Sequence, residues 1–247
     1  MNKEFLNALI KKRERLADAF DDPAAKGIKN IVIDKYTDQA HFVYELLQNA
    51  DDTKATYAQF KLYHDKLVFA HNGERHFSVS SPDNEEEDGE NGKLGDVNAI
   101  LSIGNSSKTS ESTIGKFGVG FKAVFQYTST PYIYDPEICF KIERFIVPVL
   151  LESDYPERKA EETLFVFPSN HEVNTPGKAF EAISDKLCSL VNPLLFLLHL
   201  KKIDFEFDDT NGSYQKEIMK EHYFDGTKAE CINLSKVIGD KKEEEKL

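Results

Sequence analysis

The chain has 247 residues, 40% of them hydrophobic, and a formal net charge of −12. That is enough apolar material for one large domain with a core of its own. The acidic balance argues against a grip on nucleic acid through the overall field, which requires a basic surface. Cys139, Cys188 and Cys231 are far apart and form neither a metal-ligand pair nor an even disulfide set, which suits a reducing, cytoplasmic setting.

In chain order, Phe5, Leu9, Leu16 and Phe20, with Leu6, Ile10 and Ala17, mark an amphipathic helix that ends near Asp21-Asp22-Pro23. Its mixed charge is unlike a signal peptide. The stretch Tyr36–Asp52 is a second helix with two unlike faces. Tyr36, Ala40, Val43, Leu47 and Ala50 form an apolar stripe. Asp38, His41, Glu45, Gln48, Asn49 and Asp52 fall opposite, with Phe42 and Leu46 at the borders. A polar face without lysine or arginine is unusual for a solvated helix. It suits a metal and an activated water.

Thr56–Tyr63 and Leu67–Ala70 are expected to form a hairpin across His64-Asp65-Lys66, broken after the second strand by His71-Asn72-Gly73. Ser78–Gly92 is acidic and is expected to be a solvated loop. A short helix over Leu94–Ile103 follows. Then comes GNSSKTSESTIGKFGVGFKAVF, in which Gly115, Gly118 and Gly120 punctuate the entry to a helix running through Val124 and Phe125. Glycines at that spacing let backbone amides approach a ligand, and a helix start favours anions.

Beyond Pro131 the pattern is β-rich: Tyr132–Tyr134, Ile138–Ile142, Phe145–Val147 and Thr163–Phe167. Ala179–Leu190 is helical, and the apolar run Leu187–Leu200 is expected to be a buried helix pair or a helix broken at Pro193, too short for a bilayer. Ile203–Phe207 and Tyr214–Met219 are expected strands around a turn, and the charged tail GDKKEEEKL is expected to fray. The organisation expected is a domain over residues 1–200 and a C-terminal extension over 201–247 that begins a further domain of a longer protein.

Glu45-x-x-x-Asn49-x-x-Asp52, then Asn72-Gly73, then Gly115-x-x-Gly118-x-Gly120, then Thr163, stand in an order that resembles the GHKL ATPases: gyrase, heat-shock chaperone, histidine kinase and mismatch-repair ATPase domains. The wording is most similar to sacsin-type and chaperone-type members, and the likeness covers about Asp34–Pro168. It implies an α/β, two-layer Bergerat fold, a mixed and mostly antiparallel sheet with helices on one face. It implies Mg2+-dependent ATP binding and slow hydrolysis, with Glu45 as general base and Asn49 as the Mg2+ ligand. Gly115, Lys116, Phe117, Gly118, Val119, Gly120, Phe121 and Lys122 would wrap the phosphates. Lys108 would sit in a lid over Ser102–Ile114 that closes on the nucleotide. Asp52, Asn72, Gly73 and Thr163 would serve the adenine end.

One position departs from the family. An aspartate normally accepts from the adenine amino group where this chain has His71. A neutral imidazole accepts through only one nitrogen. The resemblance also implies an ATP-dependent homodimer and downstream domains, in a chaperone-like or defence-related protein, with no membrane and no direct nucleic-acid partner. The alternative is a non-catalytic nucleotide-binding or interaction module with a degenerate adenine site.

Overall fold

The computed structural model describes residues 1–22, 42–102, 120–224 and 227–247, apart from the side chains of 222–224 and 227–230. Helix α1 (Lys3–Phe20) starts at Asn2, whose side chain accepts from the backbone N–H of Glu4 and Phe5. Helix α2 (Phe42–Asp52) leads into the hairpin of β1 (Tyr57–Leu62) and β2 (Lys66–His71). Two short helices, α3 (Glu85–Glu90) and α4 (Asp96–Leu101), follow. A 3-10 helix spans Gly120–Gln126. Then come β3 (Tyr132–Tyr134), β4 (Cys139–Glu143), β5 (Val147–Leu150) and β6 (Thr163–Pro168). Helix α5 (Pro176–Ser189) precedes β7 (Lys202–Phe207), β8 (Thr210–Phe224), β9 (Thr227–Ile238) and β10 (Lys241–Lys246).

The strands form one ten-stranded sheet in the order β10-β9-β8-β7-β1-β2-β6-β3-β4-β5. Each pairing is antiparallel except β1 with β7. The proposed boundary at residue 200 falls just before β7, which joins β1 directly. Central strand β2 is buried on both faces. Leu67 and Phe69 enter the main core with apolar residues of α1, α2, α4 and α5. Val68 and Ala70 meet Leu164 and Val166 in a small cluster on the other face, flanked by Tyr132, Tyr134 and Tyr155. Phe60 and Phe69 are register partners, with ring centroids 4.6 Å apart. No helix among the described residues is long and apolar enough to cross a membrane.

Four local expectations are corrected. The acidic stretch after Ser78 is not simply a solvated loop. It contains a 3-10 turn at Pro82–Asn84 and α3, and Glu85 accepts from Lys12 at 2.6 Å, Arg13 at 2.5 Å and Asn98 at 3.1 Å. The run Leu187–Leu200 is not a helix pair: α5 stops at Ser189, and beyond it Leu195 and Leu197 N–H close local turns while Leu198, His199 and Leu200 give their N–H groups to Asp51. The charged tail is a paired strand, because β9 supplies its hydrogen bonds. The helix after Gly120 winds as a 3-10 helix, with Phe121 packed 6.1 Å from Phe165 and 6.2 Å from Phe167, ring to ring.

Candidate functional site

The candidate site lies where α2, the turn after β2 and the start of the 3-10 helix meet. On α2, Glu45, Asn49 and Asp52 follow at steps of four and three, so they share one side of the helix. The helix is buried more completely than its pattern suggested: Phe42 and Leu46, expected at the borders, are core residues, and Asn49 is only 4% exposed. The Glu45 carboxylate lies directly against Gly120. A Cβ at that glycine would fall 1.9 Å from Glu45 Oε2 and 2.3 Å from its Cδ. Only a hydrogen fits between the backbone and the acid.

The end of α2 holds the other side of the site. Ala55 N–H donates to the Ala50 carbonyl at 3.1 Å and Lys54 N–H to that of Asp51 at 2.8 Å, with Lys54 at φ +64°. This is a Schellman closure with lysine where glycine is usual. The Thr53 carbonyl then accepts from Glu74 N–H at 2.8 Å and Arg75 N–H at 3.3 Å. A Cβ on Gly73 would sit 1.8 Å from Thr53 Oγ1 and 3.0 Å from His71 Nδ1. The chain therefore turns out of β2 pressed onto the end of α2.

His71 and Thr163 are register partners on β2 and β6, each 1% exposed. They lie on the strand face that carries Phe69 and Phe165 into the main core. Thr163 Oγ1 donates to Asp135 Oδ2 at 2.6 Å. Asp135 also accepts from the N–H of Phe77 at 3.2 Å and of Glu137 at 3.0 Å, with His76 Nδ1 at 3.3 Å. Among the described residues, two polar atoms here are buried without a hydrogen bond: Asp52 Oδ2 and His71 Nε2. Such atoms are costly in a folded protein and call for an explanation. Burial raises the Asp52 carboxyl to about 7, and Arg75 offsets part of the rise. Burial also lowers His71 to about 3, with the charges of His76 and Arg75 acting the same way.

Other candidates are placed elsewhere. Lys122 is fully buried, donates to the Phe145 carbonyl at 3.0 Å and lies 4.7 Å from the Phe145 ring centroid, so its ammonium is committed to the core. Burial lowers it to about 7, helped by Arg13. Phe121 is a core ring. The Asn72 amide is used in holding the start of β1, accepting from Thr56 N–H at 3.0 Å and Tyr57 N–H at 2.9 Å. Lys108, Gly115, Lys116, Phe117, Gly118 and Val119 lie outside the described residues, as does His41.

Two residues escaped the sequence reading. Asp51 accepts from the N–H groups of Leu198 at 2.9 Å and of His199 and Leu200 at 2.7 Å each, tying α2 to the segment before β7. Its signal was an acid pair in the last turn of a helix, where the dipole disfavours negative charge. Asp135 left no such signal, because apart from Glu137 its partners, Thr163, Phe77 and His76, are distant in sequence.

Residues 21–140 match the family model described as the Sacsin domain. That segment is sacsin-like. It contains Glu45, Asn49, Asp52, His71 and Gly120 and ends before Thr163. Protein NO VEIN from Arabidopsis thaliana is 32% identical over 114 residues, covering 44% of this chain and 4% of that protein. This chain thus matches only a small part of a far longer relative.

Proposed function

We propose that this chain is a GHKL-type switch domain of Bergerat fold that binds a nucleoside triphosphate with Mg2+ and hydrolyses it slowly. The observation that carries the reading is the contact of the Glu45 carboxylate with Gly120, the last glycine of the loop the sequence assigns to phosphate. The unpartnered Asp52 Oδ2 and His71 Nε2 fit the same ligand, since a base placed between α2 and the strands would supply partners they lack. The family likeness implies ATP, although the chemistry at the phosphate end is the same for any base.

Glu45 is the general base in this reading. It orients a water in line with the terminal phosphate and accepts its proton as the oxygen attacks. Gly120 keeps the backbone close enough for the acid to reach that water. Asn49 would hold Mg2+ through its amide oxygen, and the ion would neutralise charge on the phosphates when bound. Lys122 takes no part, being occupied by Phe145. Closure of the segment expected to form the lid would bias a conformational or dimer equilibrium in a larger protein. The small fraction of Protein NO VEIN that this chain matches supports a module within a longer protein.

The test compares parent and Glu45→Gln for triphosphate turnover and for binding of a non-hydrolysable analogue. Turnover lost with binding retained supports the enzyme. Binding without turnover by the parent supports a nucleotide-binding module. Absence of binding defeats both.

A further inference from the structure

Among the described residues, Phe196 is the most exposed large apolar side chain, at 85%, and Leu198, two residues on, is 76% exposed. Single exposed hydrophobes are ordinary, but two on one short segment that is fastened to the fold mark a contact surface. The backbone around them is pinned. Leu195 N–H donates to the Asn192 carbonyl at 3.0 Å, the Leu197 carbonyl accepts from Lys216 Nζ, and Asp51 holds the N–H groups of Leu198, His199 and Leu200. These bonds keep the two side chains out in water as a fixed knob. Beside the knob lies a groove of about 450 Å3. Its floor is Leu190, Leu194 and Leu234, all buried, and Val191 stands at its mouth, 77% exposed. Glu243 and Glu245 form its acidic margin. Knob and groove share one face of the sheet. Lys216, Leu234 and Glu245 are register partners across β8, β9 and β10, so the lysine that grips Leu197 rises from the same row as the floor and margin of the groove.

A surface that carries an apolar knob next to an apolar groove complements itself. In a two-fold pair, each knob enters the groove of the other copy. The charges agree with that arrangement. The knob is flanked by the exposed His199 and Lys201, the groove by Glu243 and Glu245. A net charge of −12 pushes copies apart, and this pairing sets the acidic margin of one copy against the basic flank of the other. We infer that the protein self-associates through this face, with Phe196 of each copy seated between Val191 and Leu234 of its partner. The contact is made by side chains, needs no nucleotide, and stands independently of the nucleotide reading above. An aromatic ring that enters a pocket at the centre of such a contact carries much of its affinity.

The experiment is sedimentation equilibrium of the full chain without nucleotide, up to about 100 µM. The parent is expected to dimerise in that range. Phe196→Asp removes the knob and Val191→Asp spoils the mouth of the groove; each is expected to weaken dimerisation at least about thirtyfold. Both positions face solvent, so thermal melting followed by circular dichroism should match the parent and show that the variants fold. Mixing the two variants restores one intact contact, the knob of Val191→Asp in the groove of Phe196→Asp, so the mixture is expected to associate more tightly than either variant alone. A parent that stays monomeric overturns the proposal. So does a dimer that both substitutions leave unchanged, and so does a mixture that associates no better than its components.

Discussion

Gly120→Ala is the sharpest test of the proposed catalytic geometry. The new Cβ would lie 1.9 Å from Glu45 Oε2, 2.3 Å from Cδ and 3.0 Å from Cγ. Carbon does not approach oxygen so closely, so the carboxylate must retreat by about 1 Å or more, a displacement that typically costs about 100-fold in rate at a reacting centre. The obstruction is the far end of a flexible side chain, so the fold can yield cheaply, with a stability change within about 1 kcal/mol. Steady-state turnover of Gly120→Ala should therefore fall about 100-fold, while affinity for a non-hydrolysable analogue stays within a few-fold of the parent. Gly177→Ala is the control, because a Cβ there meets nothing within 4 Å. Turnover by Gly120→Ala equal to that of the parent would refute a general base at Glu45.

Three further outcomes follow from named contacts. Asp51→Ala leaves the N–H groups of Leu198, His199 and Leu200 without their carboxylate; it should cost about 2–4 kcal/mol in denaturant unfolding, and a loss under about 1 kcal/mol would show the clasp to be unimportant. Lys122 has a folded pKa near 7 against an ordinary 10.5, so the unfolded chain binds more protons between those values and stability should rise with pH across that window by a few kcal/mol. Lys122→Met should flatten that rise; an unchanged slope in pH-dependent melting would assign it to other groups. Glu85→Ala removes the acceptor shared by Lys12 and Arg13 and should loosen α1, seen as faster amide exchange over Lys3–Phe20 with the central strands still protected.

Much of the architecture was legible because it is locally encoded. The apolar spacing gives α1, although Phe5 and Leu16 of the expected stripe are exposed while Leu6, Leu9 and Ala17 are buried, and alternation through Ala58, Phe60 and Leu62 gives β1. What was not legible depends on distant partners. Glu85 reads as one acid among many until α1 brings Lys12 and Arg13 to it. The leucine-rich run after α5 has helical composition, yet Pro193 removes a backbone donor and Asp51 claims three others. At the site, the helix spacing of Glu45, Asn49 and Asp52 was readable directly. The use of His71 Nδ1 as acceptor for the Gly73 N–H was not, because that bond forms only after the chain has turned. Lys122 looked like a phosphate ligand by its place after the glycines, and only the packing of Phe125 and Phe145 around it reveals the other use.

The two borders of the sheet are unlike each other and share one effect. At one border, every residue of β10 is exposed, and its sequence is KKEEEK. At the other, Pro148 stands within β5 and offers no N–H. An incoming chain seeking to extend the array meets a fence of ions on one flank and a missing rung on the other. Recruitment of further protein to this platform is thereby steered toward side-chain surfaces, and runaway stacking of copies edge to edge is discouraged.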